Sequence, residues 1–140
     1  MVYHVNEVAK QITAIAPQLR AAGKKAALII CSDGEASDGN IVEALRPLHN
    51  LPVWVVIRLC TDNEQVVSYW NNVDDEIELN MDVIDDPVGE GRQIQEKNPW
   101  LTYGTPLHRL REFGVTVKEI DMIDESFLSA DQMRNFCGFL

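Results

Sequence analysis

Two continuous apolar segments constrain the fold of this chain more than any other feature. Residues 26–31 have the sequence Ala-Ala-Leu-Ile-Ile-Cys, and residues 53–60 have the sequence Val-Trp-Val-Val-Ile-Arg-Leu-Cys. Strands of a half-exposed sheet alternate apolar with polar residues, whereas strands covered on both faces are apolar throughout. We therefore predict that these segments are strands of a parallel sheet, the first of them interior and covered on both faces.

Amphipathic segments precede and separate these strands. Apolar residues at helical spacing over 5–22 predict a first helix, which Pro17 interrupts. Similar patterns over 41–48 and 66–77 predict two more helices, and residues 81–84 form a third, weaker strand. The alternation of strand and helix, with connections of this length, is typical of an α/β fold with a mainly parallel sheet flanked by helices.

The remainder of the chain, residues 87–140, is less regular and shows no convincing domain boundary. Proline, glycine and capping patterns predict four elements in it. These are a short helix over 91–98, a helix over 105–113 beginning at Thr105-Pro106, an edge strand over 115–120, and a last helix with a Ser129/Gln132 capping box that ends near Cys137.

Composition excludes several classes of protein. Of the 140 residues, 46% are hydrophobic and 24% charged, as in a globular domain and unlike a disordered chain. No apolar run approaches the ~18 residues of a membrane span. A net charge of −10 argues against a nucleic-acid partner, because phosphate recognition needs clustered Lys and Arg.

Cysteine usage predicts the compartment. Cys31, Cys60 and Cys137 lack metal-type spacing, and the first residues resemble no secretory signal. An odd number of cysteines in such a chain predicts buried, reduced thiols and a cytoplasmic location.

The negative charge is concentrated in one segment. Between Asp74 and Gly91, eight carboxylates occur without any Lys or Arg. The spacing lacks the pattern and central glycine of an EF-hand loop. We therefore interpret the segment as a solvated acidic loop. Its acidic residues are Asp74, Asp75, Glu76, Glu78, Asp82, Asp85, Asp86 and Glu90.

The segment after the first apolar strand, Ser32 to Gly39, has the sequence Ser-Asp-Gly-Glu-Ala-Ser-Asp-Gly. Open α/β sheets bind ligands at the carboxyl ends of their strands, where Asp33 is expected. Such an aspartate can act as a nucleophile, a hydrogen-bond acceptor or a ligand for a hard cation. Alternatively, Asp33 and Asp38 only form turns and cap the next helix.

Residues Ala27 to Gly39 resemble the fourth strand and the third metal-site motif of a von Willebrand factor A domain. The similarity covers about residues 4–86, which leaves residues 87–140 as a C-terminal extension of a single domain. The family's Asp-x-Ser-x-Ser motif does not occur in the chain, and its threonine ligand would fall at or just before Met1. The resemblance is therefore to the C-terminal part of such a domain, without its first strand.

This resemblance implies a non-enzymatic protein–protein interaction module with a degenerate divalent-metal site. In the family, magnesium is usually the cation, and the ligand that has a counterpart in this chain is Asp33. One carboxylate is a poor magnesium site, so a metal-free interaction surface is equally expected. The partner-binding residues that the resemblance implies are Gly34, Glu35, Ser37 and Asp38.

The absent first strand would leave a strand edge of Leu, Ile and Cys open to another chain. This predicts a homodimer or a hetero-complex formed by strand pairing, in which the chain is a structural subunit. A further alternative is a small metal-dependent hydrolase or phosphoryl-transfer enzyme that uses Asp33.

Overall fold

The two apolar segments form neighbouring parallel strands in a computed structural model, which describes residues 1–77, 79–115 and 117–139. Strand β1 (Ala26–Ser32) pairs with β2 (Val53–Leu59), and β2 pairs with β3 (Met81–Ile84). The sheet order is β1-β2-β3, with all neighbours parallel. The predicted α/β class is confirmed at this level.

Three helices and a 3₁₀ turn pack on one face of the sheet. They are α1 (Val2–Ala21), α2 (Ile41–Leu45), the 3₁₀ turn Arg46–Asn50, and α3 (Glu64–Ile77). Their apolar faces share a core with Val55 and Ile57 of β2, and Trp70 of α3 is fully buried in it. Helix α1 ends before Gly23, whose φ of +62° suits a residue without a Cβ.

The C-terminal residues contribute four more helices and a second core. They are α4 (Pro87–Lys97), α5 (Thr105–Glu112), α6 (Lys118–Asp121) and α7 (Ala130–Phe139). Helix α5 contacts β2 and β3, and its predicted start is confirmed. The Ser129/Gln132 capping box is also confirmed, with the two backbone-to-side-chain hydrogen bonds at 2.8 and 3.3 Å. Within the described ranges, every helix is too short or too polar to cross a membrane.

The prediction that β1 is covered on both faces is wrong. The central strand is β2, whose residues are buried except for the partly exposed Arg58. In β1, Ala27, Ile29 and Cys31 are exposed and alternate with half-buried residues. An apolar run specifies a strand, but it does not say on how many sides other elements lie.

Two predictions for the C-terminal part are also wrong, one of a strand and one of the start of a helix. Residues 115–120 do not form a strand in the part that is described, because α6 begins at Lys118; Thr116 lies outside the described residues. Helix α4 begins at Pro87 instead of Gly91, because the Asp86 carboxylate accepts hydrogen bonds from the backbone N–H of Val88 and Gly89 at 2.7 and 3.2 Å.

The prediction of buried thiols is wrong for all three cysteines. Cys31, Cys60 and Cys137 are exposed free thiols. Cys31 lies at the end of an edge strand, Cys60 follows the last residue of β2, and Cys137 lies on the outer side of α7. Their exposure follows from these positions at the ends and edges of elements.

Candidate functional site

The loop after β1 is anchored to helix α3 through one carbonyl group. The Ser32 hydroxyl donates a hydrogen bond to the Gly34 carbonyl oxygen at 2.8 Å, and Trp70 Nε1 donates to the same oxygen at 3.1 Å. Because Trp70 is fully buried, this contact fixes the loop against the core. Gly34, a predicted partner-binding residue, therefore has a structural role here.

Asp38 has a structural role as well. Its carboxylate accepts hydrogen bonds from the amino group of Met1 at 2.7 Å and from the backbone N–H of Val2 and Tyr3 at 3.0 and 3.4 Å. The hydrogen bond from the Met1 amino group, and to a smaller extent the one from the Val2 N–H, holds the pKa of Asp38 well below its usual range. Asp38 thus caps α1, and the following helix α2 is capped by Asn40 instead.

The three other predicted site residues, Asp33, Glu35 and Ser37, are exposed on the same loop. Over residues 1–77, 79–115 and 117–139, no group of three His, Cys, Asp or Glu side chains is arranged to hold a metal ion. The magnesium site that the von Willebrand factor A resemblance implies at Asp33 stays a prediction.

A buried ion cluster lies between β3 and the C-terminal helices. The Arg111 side chain is 1% exposed and donates to Asp82 at 2.9 Å, to Asp124 at 2.6 Å and to Glu90. Glu90 also accepts a hydrogen bond from the Asp85 backbone N–H at 2.8 Å. One guanidinium therefore serves three carboxylates from β3, α4 and the segment between α6 and α7.

Further carboxylates line a cleft of about 200 Å³ beside this cluster. Burial raises the pKa of Asp74 and of Glu90 to about 7, and that of Asp121 to about 6. The interpretation of residues 74–91 as a solvated loop is wrong for Asp82 and Glu90, which pair with Arg111. Glu78 lies outside the described residues.

The sequence reasoning missed the role of Arg111. Three basic residues, His108, Arg109 and Arg111, lie close together in α5, and two of them, His108 and Arg111, are buried. His108 Nδ1 lies 2.9 Å from the Tyr103 hydroxyl, and burial lowers the His108 pKa. A usable signal was present: Arg111 lies four residues after Leu107, on the buried side of α5, and an arginine placed there needs a carboxylate partner, of which the chain has a surplus.

The outer edge of β1 is the other candidate site. Ala26 N–H donates to Pro52 C=O at 2.8 Å, and Cys60 N–H donates to Ser32 C=O at 2.7 Å, so even-numbered residues of β1 turn their backbone groups toward β2. Successive residues of a strand turn to opposite sides. The backbone N–H and C=O groups of Ala27, Ile29 and Cys31 therefore point away from the sheet.

No strand covers this edge in the part of the chain that the structure describes. An apolar groove runs beside the edge, lined by β1 and by His4, Val5 and Val8 of α1. Strands at the edge of a natural sheet are commonly blunted by Lys or Pro, and Ala26–Ser32 contains neither. This edge is thus chemically suited to receive another strand.

Comparison of the chain with protein-family models, with curated proteins and with solved structures found no match. The von Willebrand factor A resemblance accordingly stays a prediction from the residues that carry it.

Proposed function

We propose that this chain is a non-enzymatic protein-interaction module that binds by strand addition to the outer edge of β1. The observation that carries the proposal is the row of outward-pointing backbone groups at Ala27, Ile29 and Cys31. An added strand satisfies such groups with main-chain hydrogen bonds, while alternate side chains supply specificity.

The side chains of β1 support this mode of binding. Ile29 is 37% exposed, and Ala27 and Cys31 are exposed on the same side of the strand. Covering this apolar, uncharged edge is energetically favourable, because water is released from both the side chains and the groove beside α1. The proposed binding surface is therefore the strand edge. The loop from Asp33 to Asp38 has a mainly structural role beside it.

This placement differs from the one that the von Willebrand factor A resemblance implies. In that family a cation near Asp33 would accept a carboxylate from a partner. Here Gly34 holds Trp70 and Asp38 caps α1, so two of the five residues of that surface stabilise the fold. The proposal assigns no step to magnesium and none to Asp33 as a nucleophile.

The test uses a fluorescent peptide of residues 24–33 in which Ser replaces Cys31. Its anisotropy is measured with increasing wild-type protein, with Ile29→Pro and with Val88→Lys. Pro at position 29 removes an outward N–H and no bond to β2, so the sheet is retained. Val88 is 60% exposed on α4, which follows β3 at the opposite edge of the sheet, and provides a matched control away from β1.

We expect saturable binding to wild type and to Val88→Lys, and its loss in Ile29→Pro. Equal binding to all three proteins would contradict strand addition at β1, as would no binding to any of them at concentrations where each is a monomer. Circular dichroism of each variant establishes that its helices are intact.

A further inference from the structure

The free edge of β1 has the backbone pattern to pair with β1 of a second copy. We infer that two copies pair these strands antiparallel about a twofold axis at Ile29, which makes one continuous sheet across the dimer. This inference rests on the proposed function and adds the identity of the partner and the register of the pairing. It is carried by the direction of the backbone groups and by the charges that flank the strand.

The backbone of β1 is self-complementary in this register. Strand Ala26–Ser32 has Ile29 at its centre, so antiparallel pairing sets Ile29 opposite its own copy and Ala27 opposite Cys31. Each of these residues turns its N–H and C=O outward, toward the partner. Each of the three directly opposed pairs then exchanges two backbone hydrogen bonds, which gives about six hydrogen bonds between the two strands.

Flanking charges favour antiparallel over parallel pairing. Lys24 and Lys25 precede β1, whereas Asp33 and Glu35 follow it. The antiparallel register brings Lys25 of one copy opposite Asp33 of the other at both ends of the pair. Parallel pairing would set lysines opposite lysines and carboxylates opposite carboxylates, which is unfavourable for directly opposed residues.

The side chains are compatible with a twofold arrangement. Side chains of directly opposed residues lie on the same face of a sheet, so exposed Ala27 and Cys31 become cross-strand neighbours. The α1 helices of both copies lie on the same face of the joined sheet. The apolar groove between α1 and β1 then faces the same groove of the second copy, as a twofold contact requires.

The test combines molar mass with a cross-link that depends on register. Light scattering during size-exclusion chromatography gives the mass of the wild type, Ile29→Pro and Val88→Lys over a range of concentrations. In a Cys60→Ser/Cys137→Ser background, Ala27→Cys is then oxidised under mild conditions, and the disulfide is mapped by mass spectrometry. Opposed residues lie about 5.5 Å apart between Cα atoms, within the range of a disulfide.

We expect twice the chain mass for wild type and Val88→Lys, the mass of one chain for Ile29→Pro, and a disulfide joining position 27 to Cys31 of the other copy. Without the Ala27→Cys change, the two Cys31 residues lie about 13 Å apart in this register and do not link.

A monomeric wild type overturns the inference, as does a dimer whose disulfides join like positions, 27 to 27 or 31 to 31. A dimer that persists unchanged in Ile29→Pro overturns it too. Strand addition is judged separately by the peptide of residues 24–33. A monomer that still binds this peptide leaves the proposed function standing with a different partner, whereas a chain that does neither removes both.

Discussion

Replacing Arg111 with methionine removes the guanidinium that Asp82, Glu90 and Asp124 share. The variant keeps much of the side-chain volume and leaves three largely buried carboxylates close together without a compensating charge. Breaking a buried ion pair by removing one partner is destabilising by roughly 3–5 kcal/mol. We expect Arg111→Met to lower the free energy of unfolding by about this amount near neutral pH.

The loss should depend on pH in a defined direction. Burial already raises the pKa of Glu90 from 4.5 to about 7 with Arg111 present. Between these values the folded state binds more protons than the unfolded state, so stability falls as pH rises through this window. Without Arg111 the carboxylates are harder to ionise, and the deficit of Arg111→Met is therefore larger at about pH 8 than at about pH 5.

The assay is urea unfolding at both pH values, followed by tryptophan fluorescence, which reports on the buried Trp70. Arg134→Met is the control, because the Arg134–Asp131 pair is exposed and its loss is worth about 0.5 kcal/mol or less. Glu90→Gln is a milder variant that keeps an acceptor for the Asp85 N–H and flattens the pH dependence. If Arg111→Met unfolded like Arg134→Met at both pH values, the account of the ion cluster would be wrong.

Three further predictions concern other parts of the molecule. The buried Asn98 side chain donates hydrogen bonds to the carbonyls of Ile123 and Ser126 and accepts one from the Leu128 backbone N–H. Asn98→Ala therefore lowers the free energy of unfolding by about 2–4 kcal/mol, whereas Asn72→Ala, at an exposed position, changes it little. Urea unfolding measures both variants, and equal effects would contradict this role of Asn98. Gly114 has φ +73°, and a Cβ there would meet Trp54 Cδ1 at 3.0 Å. Gly114→Ala therefore lowers the midpoint temperature of thermal unfolding, and an unchanged midpoint would refute this packing. Calorimetric titration with magnesium should give the same isotherm for wild type and Asp33→Ala, and saturable binding lost in the variant would restore the metal site.

The elements that the sequence predicted well depend on local pattern. The strand after Lys25 and the helix that buries Trp70 and Val73 follow from apolar runs and helical spacing, which act over a few residues. The capping box at Ser129 is also local, since both of its hydrogen bonds join residues three apart.

The features that could not be predicted depend on residues far apart in the chain. Arg111 lies 29 residues from Asp82, 21 from Glu90 and 13 from Asp124, and no spacing rule joins such partners. The place of β1 at the edge depends likewise on which strand lies beside it. Asp38 was predicted to bind a partner, with capping of the next helix as the alternative, but it caps α1, whose first residue lies 36 residues before it.

Amide hydrogen exchange followed by NMR tests whether the outer edge of β1 binds a strand, as we propose. The N–H groups of Leu28 and Ile30 point toward β2, whereas those of Ala27, Ile29 and Cys31 point outward. At high protein concentration, or with excess peptide of residues 24–33, we predict strong protection of all five amides. On dilution without peptide, the three outward amides should exchange quickly while the two inward amides stay protected. Fast exchange of the outward amides under every condition would contradict the claim.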